Sequence, residues 1–369
     1  MLLVSFLLSG YCPLANAALV DTGKTKVYYG GIVFPGKSDD ARTNSPYSFE
    51  LATNKGGDSG ELSVALLNFF KNNSGSMKHI DLSFDLSKEG ESKVVMALAV
   101  TGEEVGTELI ADVNKVIVDL SCQVLFLDFA EKKVLGAYPL FLEYVAKSDG
   151  PPSREFILNA VRKTYLDPQE SIFDLLKTRM GDFRIARGSS RTVRVSKVWF
   201  EDEAITQLKE LGKGKKAYEN QIAQRYGDAL FSGLGITMLP YMKDGANSKM
   251  ALRMSDGRSV MFDIPPSTYS IDLTLRKFKK VLKEETSVEM AYIYGAFITV
   301  KVYEPEYMKI YFEENIKHGE MKIVPRSQLK WDEFLVYNEV LRRALNDSVE
   351  MMRNNKNTFE EVIKRCSVK

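Results

Sequence analysis

Between Val116 and Phe126 the side chains Val116, Val118, Leu120, Cys122, Val124 and Phe126 fall on one face, and Asp119, Ser121 and Gln123 on the other. A period of two marks a β-strand, and an apolar face opposite a polar one predicts an antiparallel sheet covered on one side only. Ala130-Glu131-Lys132-Lys133 forms a turn, and the apolar run from Val134 to Tyr144 is the return strand. Asp149-Gly150-Pro151-Pro152 breaks the chain, and Ser153 heads a helix to Tyr165 with Phe156, Ile157, Ala160, Val161 and Tyr165 inward. Gln169–Met180 reads as a second short helix. Strands followed by helices in this manner specify an α+β fold.

Ahead of that hairpin, Lys26–Phe34 reads as a strand closed by Pro35-Gly36, and residues 37–44 as a polar loop. A helix follows over 60–72, then strands over 79–84 and 93–100. The second half opens with a strand at 192–200 and helices at 203–211 and 218–234. Strands 250–254 and 259–264 flank Ser255-Asp256-Gly257-Arg258, a hairpin signal because Asp-Gly accepts positive φ. A strand at 270–278 and a hairpin of 296–303 with 308–313 lead into a long amphipathic helix, Trp331–Met352. Each half thus runs strand, helix, a strand containing Ile-Asp-Leu (80–82 and 271–273), hairpin, closing helix. That order predicts two similar domains, 18–185 and 186–369, each a mainly antiparallel sheet with helices on one face, the second a divergent duplication of the first.

The chain has 369 residues, 50 Lys+Arg and 49 Asp+Glu, for a net charge of +1. It therefore exerts no global attraction on phosphate backbones, and no nucleic-acid partner is expected. Leu2–Leu8 is almost wholly apolar and Ala15-Asn16-Ala17 is a small-x-small site, so residues 1–17 read as a secretory signal peptide, although no basic residue precedes Ala18. No later run approaches the roughly 20 apolar residues of a transmembrane helix. Cys122 and Cys366 would remain after cleavage, enough for at most one bridge.

Most familiar chemistries lack their residues. Gly57-Asp58-Ser59-Gly60 resembles a serine-protease tetrad, but no His precedes Ser59, and a Gly-rich helix cap is the better reading. His79 and His318 cannot build a His-rich zinc site, and His318 beside Gly319 reads as an exposed imidazole in a loop. Asp39-Asp40 and Glu103-Glu104 are the carboxylate pairs open to Ca²⁺ or Mg²⁺, with solvated surface the competing reading. Gly212–Lys216 lacks P-loop spacing, and Gly233-Leu234-Gly235 lacks the third glycine of a dinucleotide fingerprint. No catalytic residue, cofactor-binding residue or metal ligand is assigned, and no cofactor is expected.

The segment Met290-Ala291-Tyr292-Ile293-Tyr294-Gly295-Ala296-Phe297-Ile298-Thr299-Val300-Lys301-Val302, with its following hairpin and terminal helix, resembles the α/β domains of exported envelope-assembly proteins. These include the amino-terminal domain of the Tol-system β-propeller protein and the periplasmic domain of the curli secretion subunit. There, a helix-borne Ala/Gly segment enters a strand, a hairpin follows and a helix packs behind. The Asp-x-x-x-Gly expected before the strand is absent here. The resemblance implies a non-catalytic module that docks envelope proteins, and it transfers no functional residue. The expectation is a periplasmic or secreted binding or assembly protein, with envelope proteins as partners and Tyr303, Tyr307 and Tyr311 of the second hairpin as partner contacts; the sequence does not fix an oligomeric state. The alternative is an exported hydrolase or carbohydrate-active enzyme with paired carboxylates in an inter-domain cleft.

Overall fold

The computed structural model describes residues 23–36, 38–53, 59–85, 94–110, 113–185, 191–211, 215–241, 249–254, 257–328 and 331–354, together with Val362 and Cys366. The expected signal peptide, the Gly57-Asp58 part of the tetrad and most of Gly212–Lys216 lie outside the described residues. So do the side chains of Asp39 and Asp40.

In chain order the first half contains β1 (Thr25–Pro35), α1 (Ser38–Asn44), α2 (Pro46–Ala52), α3 (Glu61–Asn73), β2 (Ile80–Ser83), β3 (Val94–Ile110), β4 (Val113–Asp128), β5 (Lys133–Ser148), α4 (Arg154–Leu166) and α5 (Ile172–Arg179). The second contains β6 (Val193–Phe200), α6 (Asp202–Glu210), α7 (Lys215–Leu234), β7 (Lys249–Met254), β8 (Ser259–Asp263), β9 (Tyr269–Glu285), β10 (Glu289–Glu304), β11 (Lys309–Pro325) and α8 (Glu333–Asn354). The fold is α+β, as expected. Ser153 and Ser171 cap α4 and α5 by accepting from the amides of Phe156 and Asp174, which satisfies otherwise orphaned donors. Residues 37–44 were expected as loop, yet α1 covers most of them. Its seven residues form barely two turns, too few to leave a periodic apolar face for sequence to reveal.

The first sheet runs β2-β1-β3-β4-β5-β8-β7. β1 lies parallel to β2 and β3, and β3, β4 and β5 form an antiparallel meander. The β7–β8 hairpin, which comes from the second half of the chain, folds back on this sheet. β7 pairs with the end of β1, and Asp263 of β8 meets Lys133 of β5, closing a ring. Val33, Ala99, Leu125, Leu127, Leu252 and Phe262 fill a small core of their own. Gly257 holds the hairpin turn at φ 88°, a conformation that glycine adopts without steric cost.

The second sheet runs β11-β10-β9-β6, with β6 parallel to β9 and the rest antiparallel. Its connection order matches that of β1, β3, β4 and β5: a parallel first pair, a meander, then a helix (α4 or α8). The two Ile-Asp-Leu segments are not equivalent in this order. Ile80–Leu82 lies in edge strand β2, whereas Ile271–Leu273 lies in β9 between β6 and β10. Met290–Val302, which resembles a segment that is helix-borne at its start in the envelope-assembly domains, lies entirely in strand β10.

Two large cores result. Helices α2–α5 cover one face of the first sheet around Leu66, Phe70, Leu120, Val124, Val161 and Tyr165. Helices α6, α7 and α8 cover one face of the second around Tyr226, Tyr294, Ile298, Val300, Val340 and Leu341. Cys122 belongs to the first core and Cys366 to the second, so no bridge joins them.

Candidate functional site

The face of β4 expected to meet solvent is covered instead. Asp119, Ser121 and Gln123 are each buried, because α7 lies across them. This helix carries two stripes. Tyr218, Ile222, Tyr226 and Leu230, four residues apart, join the second core, while Gln221, Arg225 and Asp228 share the opposite face and meet the first half.

Strand register places three carboxylates in a row beneath that polar stripe. Glu104 of β3 pairs with Asp119 of β4, and Asp119 pairs with Glu143 of β5. Like charges directly opposite on a sheet repel, and the α7 side chains offset this. Arg225 Nη2 donates to Asp119 Oδ2 at 2.5 Å with both side chains almost wholly buried, and its guanidinium lies 4.7 Å from the ring centre of Phe141. Gln221 Nε2 donates to Glu104 Oε2 at 3.0 Å. Burial pushes the Asp119 carboxyl up to about 6, with Glu143 and Glu104 adding to the rise and Arg225 opposing it. A second pair reinforces the seam: Arg179 of α5 donates to Asp228 Oδ1 at 2.7 Å and to the carbonyl of Pro139 at 2.8 Å. Tyr218 and Ser348 continue the lattice on the other side of α7, donating to Asn338 Oδ1 and Tyr226 Oη.

Glu103 and Glu104 do not act as a carboxylate pair, since neighbouring residues on a strand point to opposite faces. The Glu103 carboxylate accepts from the amides of Tyr47 and Ser48 at 3.0 and 2.8 Å and from Ser48 Oγ at 2.5 Å, holding the start of α2. Tyr165 Oη donates to the same Ser48 oxygen at 2.8 Å. Burial raises the Glu103 carboxyl, and its three donors pull against the rise. Among the described residues no group of three or more His, Cys, Asp or Glu is placed to hold a metal ion.

Two cavities flank this seam. One, of about 270 Å³, lies between the end of α1, the irregular pairing of β3 at Val100/Gly102, β4 and α7, with Asn44, Glu104, Asp119, Asn220, Gln221 and Gln224 on its walls. The other is a groove of about 410 Å³ between β4 and β5 on one side and β11 and α8 on the other, where Ile117, Glu143, Met321, Ile323, Leu335 and Glu339 come together. Among the described residues β11 pairs with β10 alone, and no described strand pairs with its other edge along this groove.

The three tyrosines named from sequence separate. Tyr303 is half-buried on the helix-free face of β10, its hydroxyl 3.4 Å from Asp272 Oδ1. Tyr307 sits in the turn and is 69% exposed. Tyr311 is buried edge-on against Tyr269, because the pairing skips it between Val302/Phe312 and Tyr303/Ile310 and turns it into the core. His318 is no loop residue: it lies in β11, half-buried, with Nδ1 2.7 Å from Asp347 Oδ2 and Nε2 3.3 Å from Glu320 Oε1. The carboxylate row escaped sequence reading because register decides it. The Gln221/Arg225/Asp228 spacing opposite the Tyr218/Ile222/Tyr226/Leu230 stripe was the available signal.

No family model matches this chain, and no curated protein matches it. Among solved structures, one described as a neuraminyllactose-binding hemagglutinin homolog from Helicobacter pylori is similar over 50% of this chain and 99% of its own, at 10% identity and a TM-score of 0.24. A minor lipoprotein from Acinetobacter baumannii is similar over 46% of this chain and 93% of its own, at 7% identity and a TM-score of 0.20. Among the described residues no helix is long and apolar enough to cross a membrane.

Proposed function

We propose that this chain is an exported, non-catalytic binding protein of the bacterial envelope that takes an extended segment of a partner polypeptide along the open edge of β11. The observation that carries this reading is the β11 edge at Glu320–Ile323 beside the 410 Å³ groove. A strand edge presents backbone donors and acceptors that an added strand satisfies, while neighbouring pockets read alternate side chains. Met321 and Ile323 are 56% and 50% exposed there, with Leu335 and Val336 of α8 and Ile117 of β4 as apolar walls. Lys115, Lys322, Glu143 and Glu339 supply both signs of charge around them. Leu2–Leu8 and Ala15-Asn16-Ala17 support export. The shared connection order supports two copies of one unit, 18–185 and 186–369, with the 249–263 hairpin lent across the boundary.

The test is photo-crosslinking in the producing cell with a photoreactive residue at 321 or 323 and a control at exposed position 131. The expected result is a covalent adduct with another envelope polypeptide from 321 and 323 alone, lost when the crosslinker at 321 is combined with Ile323→Lys or the crosslinker at 323 with Met321→Lys. No adduct at either position refutes the proposal. The hydrolase alternative rests on Glu104 and Asp119, which stand side by side at the smaller cavity. Glycan or ester turnover by the intact chain, abolished in Glu104→Gln, would favour it instead.

A further inference from the structure

The smaller cavity is distinct from the β11 groove, and its lining has a definite chemical bias. Asp119 is 4% exposed, yet only one of its two carboxylate oxygens is engaged: Oδ2 takes the Arg225 hydrogen bond, and the buried Oδ1 has no hydrogen-bond partner. Gln221 repeats the pattern. Its amide nitrogen donates to Glu104, and its buried Oε1 has no partner. Both side chains line the cavity. The unmet groups on this lining are therefore acceptors, the unmet Nε of Arg225 lying behind Asp119 and off the lining, and a buried acceptor without a donor costs about 1–3 kcal/mol.

Charge points the same way. Glu103, Glu104 and Asp119 border the space, and among the described side chains of α7 Arg225, behind Asp119, faces this row. Among the described residues that line the space, the charged side chains are these three carboxylates. Asn44, Asn220 and Gln224 add amide groups, able both to donate and to accept, and Thr43, Thr101 and Ser121 add hydroxyls. Among the described residues no aromatic ring lines the space. The volume, about 270 Å³, falls just below the usual range for drug-sized ligands. The carboxylates do not converge as a metal cage, since Glu103 is turned to the α2 amides.

We propose that this seam cavity binds a small organic cation: a ligand of the size of a monosaccharide or short diamine whose ammonium group donates to Asp119 Oδ1 and Gln221 Oε1, beside Glu104, with its remaining polar groups on the Asn and Gln amides. Glu104, Asp119, Asn220 and Gln221 are the recognition residues. The site draws on both halves of the chain, so occupancy also tightens the seam.

The test uses the full chain and titration calorimetry with three probes, glucosamine, 1,4-diaminobutane and L-lysine, against glucose and Ca²⁺ as controls. At least one amine is expected to bind at a single site, with glucose at least about tenfold weaker, a difference of about 1.4 kcal/mol. Glu104→Gln is expected to weaken that amine about tenfold or more. Asn220→Leu, at an exposed rim position outside the buried row, is expected to weaken it while leaving the melting temperature unchanged, which keeps the test open should Glu104→Gln fold poorly. Absence of amine binding up to about 10 mM, binding of glucose as tight as that of the best amine, or saturable Ca²⁺ binding in place of the amines would each overturn the proposal. None of these results bears on crosslinking from β11.

Discussion

Replacing Arg225 by Met removes the guanidinium from Asp119 and keeps an apolar stem against the Phe141 ring. Asp119 is then a buried carboxylate with Glu104 and Glu143 beside it, and among the described residues Arg342 acts on it only through space. Breaking a buried pair from one side costs about 3–5 kcal/mol. The cost is pH-dependent, and the sign follows from Asp119. Its folded value is already raised to about 6, against about 3.9 for an unperturbed Asp. Such a group contributes stability below pH 4 that is lost as pH rises through 6, about 3 kcal/mol across that window. Without Arg225, which opposes the rise, the folded value climbs further. At pH 7.5 Arg225→Met should therefore lose about 3–5 kcal/mol, and at pH 5, where Asp119 is protonated, only about 1–2 kcal/mol for the lost hydrogen bond. Arg225→Met/Asp119→Leu should recover most of the pH 7.5 loss, since an apolar replacement of both partners is often neutral. Urea unfolding at the two pH values measures all of this. A loss below about 1 kcal/mol, or one equal at both pH values, refutes the buried row as the basis of the seam.

Four further outcomes follow from the packing. Glu103→Ala strands the Tyr47 and Ser48 amides and should cost about 2–3 kcal/mol, with faster hydrogen exchange at those two amides. Gly60→Ala should destabilise the chain measurably in the same urea assay, because an added Cβ would lie 2.5–2.6 Å from backbone atoms of Leu51, Ala52 and Thr53, which cannot move aside as a side-chain tip would. Leu341→Ala, in the second core at 1% exposure, should cost about 2–5 kcal/mol. Cys122 is fully buried, and burial pushes its thiol up; iodoacetamide should label it only after unfolding.

The parts legible in the sequence are those with local causes. The β4–β5 hairpin follows from side-chain alternation, α4 from its Ser153 cap, α8 from its apolar stripe and the β7–β8 turn from Gly257. What stayed hidden depends on distant partners. The polar face of β4 reads as solvent-exposed because the helix covering it arrives 106 residues later, at Arg225. β11 reads as ending near Glu313, since its continuation through Lys317, His318 and Lys322 is polar. Pairing with β10 extends it to Pro325. The β7–β8 hairpin is recognisable as a hairpin, but nothing local says that it closes the sheet of the first half. Glu104, Asp119 and Glu143 are three unremarkable acids until register aligns them.

Both cavities exist only because the two halves meet across that carboxylate row, so the state of Asp119 bears most directly on the account. Carboxyl-carbon chemical shifts of selectively labelled Asp, with Asp119→Asn to assign the signal, follow its titration. The account predicts an apparent midpoint near 6. A midpoint near 4, the range of a solvent-exposed Asp, would show that α7 does not bury this row and would remove the seam on which both sites stand.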